Sequence, residues 1–180
     1  MIFADTIKEK NIVEYILYMW QTEDIVRAFN LDIHKIETNV ISTIQANSSE
    51  KEKIKSWYSQ LIKDLKLQGK TNVGHHNNIN EIIVELNYLH NSLINLMQDA
   101  TYSDLYKKAL PFINDFRRRP ENEDLSEIQL CLVALYGKLI LKLKGLDISQ
   151  ETEAAINQFR NVLAYLSVKY KEMKLGKLNL

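Results

Sequence analysis

Residues 11–30, NIVEYILYMWQTEDIVRAFN, constrain the fold more than any other stretch of the chain. Wound as a helix at about 100° per residue, the segment places Ile12, Ile16, Met19 and Trp20 on one face. Tyr15 and Val26 extend that face on one side, Val13 and Leu17 on the other, and Ile25, Ala28 and Phe29 cover much of what remains. A helix apolar over most of its circumference must be covered on several sides, which demands a substantial core. Within the same apolar arc stand Glu23 and Arg27. They are four residues apart with the acid first, the order that best forms a helical ion pair. Two charges in such a place cost several kcal/mol unless paired and hydrogen-bonded. Both are therefore expected to be largely buried, bonded to each other or to a polar group of another helix, His90 foremost. Replacing the two together by apolar residues is expected to cost far less than breaking the pair.

The rest of the chain offers helices for that cover and little else. With 5 Gly and 2 Pro among 180 residues, there is too little turn material for a β-sandwich or barrel. The reading is all-α: a single antiparallel bundle of six to seven helices in one domain, residues 1–180. Periodicity and capping residues predict helices over 6–29, over a short segment marked by Ile33, Ile36, Val40 and Ile44, and over 49–68, opened by Ser49 and Glu52. Further helices are predicted over 78–98, 103–116, 126–144 (opened by Ser126 and Gln129) and 149–174. Pro111 should kink or break the fifth. Gly69 suits a helix C-cap, and Gly137, inside the sixth helix, suggests close approach of a neighbouring backbone.

Charge excludes several function classes. Lys+Arg and Asp+Glu both number 23, so no global field favours nucleic acid or an anionic membrane. The N-terminus has no signal-peptide pattern, and the apolar run 128–143 is interrupted by Gln129, Gly137, Lys138 and Lys142. Lone Cys131 suits a reducing compartment, and the expectation is a cytoplasmic protein. Candidate ligand-binding residues are Glu23, Arg27, His75 and His90, with Asp24 beside them. The adjacent pair His75–His76 raises metal binding together with Glu81 and Glu85, but the spacing matches no ligand motif, and neither a metal nor any other cofactor is expected. Arg117–Arg118–Arg119 is flanked by Asp115, Glu121, Glu123 and Asp124, and reads as a solvated helix C-terminus. No catalytic constellation is present.

Several phrases of the sequence resemble the helical proteins of Bacteroidetes grouped as domain of unknown function 4924. They are NIVEYILYMWQTEDIVRAF, Gly74–His75, Leu89–His90, Ala109–Leu110–Pro111–Phe112–Ile113, Ala134–Leu135–Tyr136–Gly137 and Ile148–Ser149–Gln150–Glu151–Thr152. The arginine triplet is particular to this chain. The resemblance implies a small intracellular, all-helical bacterial protein and carries no activity. On the residues alone, the leading expectation is a non-catalytic helical interaction module with an unknown protein partner or a second copy of itself. The alternative is a small-ligand-binding protein or enzyme built on Glu23, Arg27, His75 and His90.

Overall fold

The computed structural model describes residues 2–178. Among them the protein is all-α, with eight helices and no strand. The helices are α1 (Ile2–Lys10), α2 (Ile12–Ala28), α3 (Ile33–Asn39), α4 (Ser48–Leu67), α5 (Asn77–Asn91), α6 (Ala100–Arg117), α7 (Glu127–Leu143) and α8 (Gln150–Lys174). The expected helix 6–29 is two helices, interrupted at Asn11. There the Asn11 side chain accepts the Val13 N–H at 3.0 Å. A short amide that binds the backbone two residues on competes with the helical ladder.

Other boundaries follow the side chains that satisfy the first free amides of each helix. α4 opens at Asn47, whose Oδ1 accepts the Glu50 N–H at 2.9 Å while Glu50 accepts the Asn47 N–H at 2.9 Å. That reciprocal pair sits two residues before the expected Ser49. Ser126 with Gln129 opens α7, and Ser149 opens α8, as their spacing predicts. Asp99 opens α6, which runs through Pro111 on its exposed side. α5 passes into a π-helical turn, Ser92–Leu96, a feature frequent at functional sites.

The described residues form two compact units. The first holds residues up to 10 and 14–81. In it α3 packs on α4, and its fully buried side chains include Ile16, Val26, Ile36 and Leu65. The Tyr18 ring lies 6.5 Å from that of Trp57. The second unit holds residues 11–13 and those from 82 onward. Its α6, α7 and α8 pack together and enclose Tyr102, Leu130, Cys131, Val162 and Leu166. Each such aliphatic or aromatic side chain contributes about 1.5–3 kcal/mol through burial. No described helix is long and apolar enough to cross a membrane.

Gly137 departs from expectation. A Cβ built there meets nothing within 4 Å, so no neighbouring backbone approaches. Its φ is also an ordinary one. An interior helical glycine without a packing or conformational reason destabilises by about 0.5–1 kcal/mol relative to alanine. Gly137→Ala is therefore expected to raise the unfolding free energy by that amount; an unchanged or lowered value in urea titration would contradict the open geometry.

Candidate functional site

The first unit buries the charge that the sequence singles out. Glu23 is 0 % exposed, and each of its oxygens has a partner from the loop that leads into α5. Oε2 accepts from His75 Nδ1 at 2.7 Å and Oε1 accepts the His76 N–H at 2.9 Å. Arg27 Nη2 stands 3.7 Å from Oε2, a looser ion pair. The guanidinium donates instead to the Lys70 carbonyl from Nε and Nη2, at 3.4 and 3.3 Å, and to the Gly74 carbonyl. Its Nη1 reaches Asp24 at 3.2 Å. The loop can present these carbonyls because Gly74 adopts φ +84°, a left-handed conformation that side chains rarely take. The His75 ring stacks on Trp20, with centroids 4.4 Å apart and planes 15° from parallel. With Nδ1–H donated to the carboxylate, a neutral ring keeps its lone pair on Nε2. Chemically this is a carboxylate–imidazole pair whose first effect is to clamp residues 70–76 onto α2.

Glu23, Arg27 and His75 are thus brought together, whereas His90 is engaged elsewhere. His76 cannot join His75 on a common ligand, because its Nδ1 accepts the Asn78 N–H at 3.1 Å and its Nε2 lies 3.1 Å from the Gln68 amide nitrogen and 3.7 Å from Asp64. Glu85 is taken by Tyr170 and Lys174. Among the described residues no group of three or more His, Cys, Asp or Glu could hold a metal ion.

The second unit holds a cluster that the sequence reading missed. His90, 5 % exposed, sits between Tyr102 and Glu127: Nδ1 is 2.7 Å from the Tyr102 hydroxyl and Nε2 is 3.2 Å from Glu127 Oε2. A ring protonated on Nε2 satisfies both contacts, donating to Glu127 and accepting the Tyr102 O–H. The bond from His90 holds the Glu127 carboxyl below its ordinary range against the opposing effect of burial, aided by the Tyr106 hydroxyl and the positive charge of Arg117. Burial first, then the hydrogen bond to Glu127, pushes Tyr106 up. Arg117 is held in place by Nη1 donating to the Leu125 carbonyl at 2.6 Å. Glu127 occupies the first turn of α7, where a negative charge is favoured.

His90, Tyr106, Arg117 and Glu127 line a cleft of about 400 Å³ together with Asn87, Asn91 and Asn95. The three asparagines recur every fourth residue along α5 and its π-helical turn. Asn87 and Asn91 donate their amide N–H groups to the carbonyls of Ile83 and Asn87. That polar stripe was the one visible cue to the cleft. Glu127 itself reads in sequence as an unremarked first-turn acid. The arginine triplet divides its work: Arg117 lines the cleft, Arg118 pairs with Asp115 at 3.3 Å, and Arg119 lies 4.8 Å over the Phe116 ring. Cys131 is buried, and burial raises its thiol, so it is a core residue rather than a nucleophile.

Fold and clusters together define a small all-helical protein with a buried carboxylate–histidine clamp in one unit and an open polar cleft in the other. The chain belongs to the family described as domain of unknown function DUF4924, whose model matches residues 1–177. No curated protein and no solved structure matches it.

Proposed function

We propose that the protein binds a small zwitterionic molecule, an amino acid being the simplest, in the cleft around Glu127 and Arg117, and does not transform it. The supporting observation is the convergence of opposite charges on one concave site. A carboxylate kept ionised by His90 and a guanidinium fixed through Leu125 face a cleft edged by asparagine amides. An ammonium group suits the first and a carboxylate suits the second, each as a charge-assisted hydrogen bond. A cleft of about 400 Å³ falls in the range of small-molecule sites. Catalysis is disfavoured because both ring nitrogens of His90 are occupied and no activated nucleophile lines the cleft. Balanced charge and a single buried cysteine suit the cytoplasm of a bacterial cell.

Thermal-shift measurement against the common amino acids tests this reading, since a ligand that binds only the native state raises Tm with its concentration. A saturable shift is expected for one or a few of them, weakened about tenfold or more in Glu127→Gln and in Arg117→Met. No shift from any amino acid, or a shift unaltered in both variants, would refute it.

A second reading, the interaction module, is favoured by apolar side chains left in the open: Val84 and Tyr88 one turn apart on α5, and Val168 on α8 with Leu175 at its C-terminal cap. Light scattering across a concentration series reports whether such faces pair.

A further inference from the structure

The unexplained glycine at 137 has a consequence for recognition. Its open Cβ position faces a groove of about 650 Å³ in the second unit. Phe112 and Phe116 of α6, Val133 and Leu141 of α7, and Ile148 and Ala155 beside and on α8 line it, and all six remain partly exposed. Val133, Gly137 and Leu141 are spaced by four, the row that forms a ridge on a helix surface. A glycine in the middle of that row turns the ridge into a notch, into which a ridge of another helix can settle. The row runs about 12 Å, or just over two helical turns. The rim carries Asp115, Glu121 and Glu151 against one cation, Arg119. Asp115 is paired with Arg118, and the Arg119 guanidinium lies over Phe116. Glu121 and Glu151 have no ion-pair partner among the described residues. Buried Asn122, which donates Nδ2 to the Phe116 carbonyl at 2.9 Å, fixes the loop that carries Glu121.

We infer that this groove docks an amphipathic helix of a partner protein, with its apolar stripe over Gly137 and basic residues against Glu121 and Glu151. The inference rests on the interaction reading and supplies its partner's chemistry; the zwitterion cleft stands or falls separately. Helix-in-groove recognition of this kind uses anchors three and four residues apart.

The test is fluorescence anisotropy of a labelled helical peptide of leucine and lysine, with leucines every third or fourth position, titrated with the intact protein. Saturable binding is expected, weakened about tenfold or more by Gly137→Leu and several-fold by the double variant Glu121→Gln/Glu151→Gln. Raised salt should weaken it too. Gly137→Leu adds its side chain into open space, so the fold should survive; a denaturation midpoint no lower than that of the wild type verifies this. Exposed Glu121 and Glu151 provide an independent variant that leaves the groove floor intact. Equal binding by Gly137→Leu, or equally tight binding of a peptide with glutamate in place of lysine, overturns the proposal. So does a concentration-dependent dimer of the wild type that Gly137→Leu abolishes, since a second copy would then be the occupant and the interaction reading would survive without this partner. Monomeric protein that binds no peptide overturns both.

Discussion

Glu23→Leu is expected to destabilise the first unit by about 3–5 kcal/mol, the usual cost of breaking a buried charged network. The substitution removes the acceptor for the His75 Nδ1–H and the His76 N–H at once. Both donors then lie beside a fully buried leucine, and an orphaned buried donor forfeits its full desolvation cost. Arg27→Met should also be costly, though for a different reason. Its pairing with Glu23, at 3.7 Å, is the looser contact, while its bonds to the Lys70 and Gly74 carbonyls hold the loop. The double variant Glu23→Leu/Arg27→Met should therefore remain strongly destabilised, reversing the sequence-based expectation that an apolar pair would be cheap there. Trp20 and Trp57 are the two tryptophans of the chain and both belong to the first unit, so urea unfolding followed by tryptophan fluorescence reads this effect. Destabilisation of Glu23→Leu below 1 kcal/mol would mean that the clamp does not hold the loop.

Helix existence was legible in the sequence because periodicity and capping residues agree along the chain. One apparent helix became two at Asn11, whose side chain accepts the Val13 N–H in place of the helical ladder. The burial of Glu23 was legible for the same reason as the helix: its angular position lies among Ile16, Met19 and Trp20. Its partner was not. Helical angle says which face a residue occupies but not what meets that face, and the answer was a loop histidine and a backbone amide rather than His90. The His90 cluster was harder still. It depends on Glu127 and Tyr102, 37 and 12 residues away, and no local spacing relates them. Gly137 was legible as an anomaly, but only the structure distinguishes a glycine crowded by a neighbour from one that leaves a notch open.

His90→Phe should destabilise the second unit by about 2–4 kcal/mol, because a ring of similar shape without nitrogens strands the fully buried Tyr102 hydroxyl and removes the main partner of Glu127. Labelling of Cys131, the single cysteine and buried in this unit, reports its opening. The same substitution should alter the response to acid. Glu127 has a folded pKa below its unfolded value, so its stabilising contribution is complete above the unfolded carboxyl range and is lost as pH falls through the folded value. The wild type should thus lose stability progressively below roughly pH 5, where free glutamate begins to protonate. In His90→Phe the Glu127 carboxyl moves back toward its ordinary range, and in Glu127→Gln the titration is absent. Both variants should consequently show a shallower acid limb, and their deficit relative to the wild type should narrow as pH falls. The deficit of Glu127→Gln should narrow the more, since His90→Phe also leaves the Tyr102 hydroxyl unpartnered at every pH. Parallel acid limbs in all three proteins would show that the His90–Glu127 bond contributes nothing to the ionised state of the carboxylate.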